Sequence, residues 1–195
     1  NIPKTTFTRL KQKDKKISIK LILKISKLIN KREFSKENIQ KNIIWIGSIY
    51  MNGIINPKLP FEFSSRIGAR FLSAITNDGC ITKNWGNNQR YSYGSLMYDN
   101  HDINLINSVR YDIQKILGNC EKSIRYIDRK NRKYLLFSSV IRDIAYIILR
   151  FKGKKSELNI SVPKIIFKNK NNMVGWIEQT IADEGDVRYY PKMHR

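Results

Sequence analysis

Acid is what this sequence has least of relative to its opposite: 16 Asp or Glu stand against 37 Lys or Arg, a formal charge of +21. Such an excess repels itself on compaction. A large polyanion relieves it, because each basic side chain that meets a phosphate releases a condensed counterion. Nucleic acid is therefore the expected partner, with a Lys-rich background composition as the plainer alternative. Cysteine is nearly absent. Cys80 and Cys120 match no metal-ligand spacing such as C-x-x-C, and nothing in their placement argues for a disulfide, so both read as reduced, buried thiols. The two histidines, His101 and His194, are isolated and carry no assigned role. Long apolar runs are also missing. The longest, Ile144 to Phe151, falls far short of the roughly 20 residues that cross a bilayer, and Asn1 to Leu10 is too polar for a signal peptide. By elimination the protein is expected inside the cell, cytoplasmic and nucleoid-associated or organellar, neither secreted nor in a membrane.

The chain is long enough for one good-sized domain or two small ones, and its composition changes along the way. Residues 1–60 hold 14 Lys or Arg against 3 acids. Within them Leu21, Ile22, Ile25, Leu28 and Ile29 form a helical stripe. A second helix is predicted from Ser35, where Ser-x-x-Asn-Ile provides a cap and Ile39, Ile43 and Ile46 recur at helical spacing. Gly53 to Pro60, with Gly, Asn and two prolines, reads as a linker.

Residues 61–195 alternate between helical and strand periods. Ile67, Phe71, Leu72 and Ile75 mark a helix from about Ser65 to Asp78, stopped by Gly79. Strand-like runs follow at Cys80 to Asn84 and Arg90 to Tyr98 around a turn at residues 85–88. Ile106, Val109, Ile113 and Ile116 give a second helix ended by Gly118. A second hairpin is expected from Ser123 to Arg129 and Lys133 to Ser138. Ile141, Ile144, Ile148 and Phe151 give a third helix, stopped by Gly153. A short extended run, Lys164 to Phe167, and a last helix from about Met173 to Glu184, stopped by Gly185, complete the order. This is an α+β pattern, with helices on one face of an antiparallel sheet. The other face is free to remain wet, and it is predicted to carry Lys83, Arg90, Ser92, Arg125 and Arg129.

Two of these helices end alike. Phe71-Leu72-Ser73-Ala74-Ile75-Thr76-Asn77-Asp78-Gly79 and Ile177-Glu178-Gln179-Thr180-Ile181-Ala182-Asp183-Glu184-Gly185 each close on acid then glycine. A carboxylate at the negative end of a helix dipole is disfavoured by about 0.3–1 kcal/mol. A shared divalent cation offers a reason to do this twice, since Mg²⁺ takes one or two carboxylates together with substrate phosphate and water. Two unrelated solvated acids are the plainer alternative.

The pair of segments resembles the signature of the LAGLIDADG homing endonuclease family, and the two lie 106 residues apart. The resemblance covers roughly residues 65–195. It implies an αββαββα half-domain whose sheet sits in the DNA major groove, and two motif helices packed at the interface of two half-domains. It further implies Asp78 and Glu184 as metal ligands and catalytic residues, with Mg²⁺ or Mn²⁺ as cofactor. The sequence departs from the family pattern in mid-helix, where a small Gly is replaced by Ser73 and Gln179, and at the earlier acid, replaced by Thr76 and Ala182. Within residues 1–60, Ile2-Pro3-Lys4-Thr5-Thr6-Phe7-Thr8-Arg9-Leu10 followed by Lys-rich helices resembles the recognition helix of a helix-turn-helix domain, an incomplete one, of the kind that precedes such cores in some archaeal proteins. A basic helical arm is the alternative there.

The first hairpin carries Trp85, Asn87, Asn88, Gln89, Arg90, Tyr91 and Tyr93, and the second carries Arg125, Arg129, Lys130, Arg132 and Lys133. Asn and Gln pair bidentately with adenine and Arg with guanine, so both hairpins, with Lys83, are candidate DNA contacts. Arg188 and Lys192 are candidates for a further strand. Cationic helices in residues 9–41 are expected to contact phosphates, which positions without specifying. Because little chain follows Gly185, a second chain or a C-terminal half is expected to complete the fold, and residues 1–195 alone are expected to cut no DNA, or to cut only after assembling. The expected activity is metal-dependent, sequence-specific hydrolysis of double-stranded DNA. A non-cutting DNA-binding regulator and an intron-RNA-binding maturase are the alternatives.

Overall fold

The computed structural model describes residues 36–47, 52–81, 95–130, 132–151 and 160–185. A compact unit begins at Ile44, and the residues before it form a separate one. Of that separate unit a single short helix, α1 (Lys36–Lys41), is described. The helical stripe of residues 21–29 and the expected helix-turn-helix likeness lie outside the described residues.

The helix expected to continue to Ile46 stops at Lys41. Trp45–Ile46 instead forms β1, paired antiparallel with β2, Ile54–Ile55. Isoleucine spacing in this stretch fits either period, and consecutive β-branched residues favour the strand. The expected linker is thus partly structural. Ile54 is fully buried, the Ile55 amide donates to the Asn119 carbonyl at 2.8 Å, and the Lys58 amide donates to the Leu117 carbonyl at 3.0 Å. The described residues of this stretch, 44–47 and 52–60, therefore belong with the main body.

The main body follows the expected order: α2 (Arg66–Asn77), β3 (Gly79–Ile81), β4 (Leu96–Asp99), α3 (Ile103–Leu117), β5 (Ile124–Arg129), β6 (Arg132–Phe137), α4 (Ser139–Leu149) and, last, α5 (Lys170–Glu184). The strands form one antiparallel sheet in the order β3-β4-β6-β5. It is an α+β architecture. Caps define the helix starts: the Ser65 hydroxyl accepts from the Gly68 amide, Asp102 from the Asn104 amide, and Asn169 from the Asn172 amide. Gly118 ends α3 at φ +97°, a backbone region that side chains disfavour. The extended run expected at Lys164 to Phe167 is a 3-10 turn, Lys164–Lys168, in which the Ile166 amide donates to the Pro163 carbonyl.

Register sorts the sheet into two faces. Ile81, Leu96, Tyr98, Leu135, Phe137 and Ile124 point to the helices and are buried. Phe71 of α2 meets Phe137 edge to face, ring centres 6.0 Å apart. A polar tie joins α2 to α3: Arg70 donates to both carboxylate oxygens of the fully buried Asp112, Nε at 2.9 Å and Nη2 at 2.5 Å. Removing one member of such a pair strands the other charge.

Candidate active site at the paired helix ends

Two helices with almost no common core pattern lie side by side. Going along both, Ser64 contacts Asn172, Arg66 contacts Gly175 and Glu178, Ser73 contacts Trp176 and Thr180, and Asn77 reaches Asp183. Contacts that advance together in sequence mean that α2 and α5 run parallel, so their C-terminal ends arrive at the same place. The approach is close because small groups line it. Ser73 is fully buried, and its hydroxyl donates to the Trp176 carbonyl at 3.0 Å and lies 2.9 Å from the Thr180 hydroxyl. A Cβ added to Gly175 would stand 2.3 Å from the Arg66 carbonyl oxygen. The small residue of α5 is therefore Gly175, four positions before the expected one. Gln179 is buried in the seam and has another job.

Asp78 caps the end of α2, its amide donating to the Ala74 carbonyl. Because Gly79 pairs with Tyr98, the start of β3 lies beside the end of β4, and the Asp99 amide approaches the Asp78 carbonyl at 3.4 Å. Asn100 then donates from Nδ2 to Asp78 Oδ2 at 2.8 Å. From α5 comes Asp183. Its Oδ1 accepts from the Tyr98 hydroxyl at 2.7 Å and from Gln179 Nε2 at 2.9 Å. Its Oδ2 is shielded from solvent and has no hydrogen-bond partner. Asn100 Nδ2 is also 3.4 Å from the Tyr98 hydroxyl, so the two acids are linked through two side chains of one strand end. Asn77, Asp78, Asp99, Asn100, His101, Arg132 and Asp183 line an open pocket here.

The electrostatics follow from this crowding. Burial, with a further contribution from the neighbouring Asp78 charge, pushes the Asp183 carboxyl up to about 6, against the pull of its donors Tyr98, Gln179 and Asn77. The Tyr98 hydroxyl is driven upward by burial and by its bond to Asp183. Two carboxylates thus stand close together at one pocket, and burial beside a like charge favours the protonated form of Asp183.

The acid that faces Asp78 is thus Asp183, one residue before the expected Glu184. Glu184 is exposed and is not among the pocket residues. Successive side chains diverge by 100° on a helix, and here the divergence leaves Asp183 half-buried at the seam and Glu184 exposed. The stripe Asn172, Trp176, Gln179 and Asp183 has helical spacing and would have located this acid; the acid-then-glycine rule selects its neighbour. Among the described residues no cluster of three or more His, Cys, Asp or Glu is assembled that would hold a metal ion by itself.

The candidate DNA contacts divide. Arg125 and Arg129 of β5 share the outer sheet face with Arg132 of β6, which is paired in register with Arg129. Arg132 also forms an ion pair with Asp99 and stacks over the Tyr134 ring at 5.3 Å. Lys130 sits exposed at the turn. Lys133 points to the other face, opposite Asp128. On the inner face near the same tip, Tyr126 is exposed, so the hairpin reaches past the helical layer. Lys83, Trp85, Asn87, Asn88, Gln89, Arg90, Tyr91, Ser92 and Tyr93, together with Arg188, Lys192 and Gly153, expected as a helix stop, lie outside the described residues. The sequence gives no role to Tyr98 or Asn100 and marks Gln179 only as a departure from the family pattern; in the structure all three bind the two acids.

No helix among the described residues is long and apolar enough to cross a membrane. No family model matches the chain, and no curated protein does. Among solved structures, one titled "Structures and dynamics of mesophilic variants from the homing endonuclease I-DmoI" is similar at a TM-score of 0.47 and 20% identity, over 64% of this chain and 60% of that one. The chain thus spans less than two thirds of the solved structure it matches.

Proposed function

We propose that the chain is the core of a metal-dependent DNA endonuclease of LAGLIDADG type, with Asp78 and Asp183 as its acid pair. One observation carries this reading: parallel helices bring two carboxylates from distant parts of the chain into one pocket, and one of them keeps a buried oxygen with no partner. An oxygen-rich pocket of this kind fits a hard cation such as Mg²⁺ or Mn²⁺, which completes its shell with phosphate and water. When bound, the ion would supply activation of water and stabilisation of the leaving oxygen of a phosphodiester. Asp78 and Asp183 would hold it, a change from the expected partnership of Asp78 with Glu184.

The chain's own residues supply the rest. Tyr98, Gln179 and Asn100 orient the two acids. Arg125, Arg129 and Arg132 project from one sheet face, where guanidinium groups grip phosphates or read guanine. The formal +21 charge draws the same polyanion.

The test is cleavage of a plasmid carrying the protein's own locus without its reading frame, by the complete protein, with Mg²⁺ or with EDTA. Linearisation is expected with Mg²⁺, lost in EDTA, lost by at least about a hundredfold in Asp78→Asn and Asp183→Asn, and retained in Glu184→Gln. Tight binding without any cutting contradicts the enzyme and leaves a regulator. Preference for folded intron RNA over duplex DNA contradicts the substrate.

A further inference from the structure

We infer that Tyr98 is a positioning residue for the Asp183 carboxylate, with Gln179 as its second arm, and that together they decide which oxygen of Asp183 is offered to a divalent cation. The inference rests on the proposed ion site and names the groups that shape it.

Tyr98 is an unusual choice for the middle of this sheet. It is fully buried on the inner face of β4, held between Gly79 and Leu135 in register. Phenylalanine would fill that place without a polar atom to satisfy, and a buried hydroxyl needs a partner. Tyr98 finds it across the molecule, on the last turn of α5, 85 residues away in sequence. The ring cannot swing, because the core fixes it. The hydroxyl therefore stands at a fixed point, and Asp183 Oδ1 is drawn to it.

Gln179 does the same from inside α5. It lies one turn before Asp183, it is buried, and its amide reaches the same Oδ1. Tyr98 and Gln179 both hold Oδ1, while Oδ2 has no hydrogen-bond partner, with Asn77 as a further neighbour of the carboxylate. A carboxylate gripped in this way cannot rotate its free oxygen away, which is how metal ligands are commonly held by outer groups. Asn100 stands two residues beyond Tyr98 and holds Asp78 through Oδ2. The end of β4 therefore sets both acids.

Binding of Mn²⁺ to the complete chain, followed by the electron paramagnetic resonance signal of free Mn²⁺ at neutral pH, tests this without any DNA. Wild type is expected to bind, and Asp183→Asn to lose binding. Tyr98→Phe is expected to keep its circular dichroism spectrum while its Mn²⁺ affinity falls about tenfold, and Gln179→Met to show a smaller fall in the same direction. A purely structural tyrosine would change the melting temperature and leave the affinity alone. Affinity equal to wild type in a folded Tyr98→Phe overturns the inference. If that variant does not fold, equal affinity in Gln179→Met overturns it. Failure of wild type to bind, or binding unaltered in Asp183→Asn, instead overturns the acid-pair reading and the inference with it.

Discussion

Helices α2 and α5 lie side by side, yet they are buried by opposite kinds of residue. In α2 the covered positions are Ala69, Phe71, Leu72, Ala74 and Ile75, joined by Ser73 and Gly68. In α5 they are Asn172, Gly175, Trp176 and Gln179. The apolar positions of α5 point the other way: Met173, Ile177 and Ile181 form a stripe four residues apart, with Ile177 55% and Ile181 51% exposed. So α2 is a core helix that also reaches the site, whereas α5 turns its polar side to the seam. Burial of apolar area stabilises the first. The second is held by hydrogen bonds, close approach and one large aromatic. Polar atoms placed in a seam favour a defined arrangement over maximal stability, which is what a site needs.

This contrast is open to attack. The largest effect is expected in the core helix: Phe71→Ala should cost about 3–5 kcal/mol in denaturant unfolding, while Ile181→Ala should stay within about 0.5 kcal/mol. A loss at Ile181 as large as that at Phe71 would mean that the two helices are buried alike. Next comes the seam. Gly175→Val should cost about 1–3 kcal/mol, because its side chain meets the Arg66 backbone, and the same change at an exposed helix position should cost far less. The weakest effect belongs to Arg66, whose two hydrogen bonds to Glu178 are exposed to solvent. Arg66→Ala should leave the melting temperature nearly unchanged, since ion pairs in water contribute little.

A pH dependence separates the two helices as well. Asp183 has a folded value of about 6 against an ordinary 3.8, so the folded state holds its proton more tightly than the unfolded chain does. That contribution to stability is complete below about pH 4. It is lost as pH rises through about 6. Without divalent ions, wild type should therefore lose stability across this window relative to Asp183→Asn. Parallel melts of the two proteins from pH 4 to 8 would read it directly.

Much of this was legible beforehand, where one periodic signal was unopposed. The apolar spacing of Ile67, Phe71, Leu72 and Ile75 placed α2, and Gly118 marked the end of α3. The second hairpin fell within a residue of its observed ends, because alternation flanks a polar turn. Other parts were hidden for physical reasons. Ile43 to Ile46 satisfies helix and strand spacing equally, and only pairing with Ile54 and Ile55 decides. Ile54 lies in a stretch whose Gly, Asn and Pro content hides its burial. In α5, hydrophobicity points at the exposed stripe, so the polar face that packs on α2 reads as the surface. That is why Glu184 stood out from the sequence and Asp183 did not. Tyr98 reads as an ordinary strand aromatic; its bond to Asp183 is a contact across the fold that no local pattern encodes.

Thermal unfolding at pH 7 with and without Mg²⁺ addresses the acid pair most directly. With both carboxylates sharing an ion, wild type and Glu184→Gln should melt higher when Mg²⁺ is added, and Asp78→Asn and Asp183→Asn should not respond. Without Mg²⁺, Asp183→Asn should already melt above wild type. An unchanged Mg²⁺ response in Asp183→Asn, or its loss in Glu184→Gln alone, would contradict the pairing of Asp78 with Asp183.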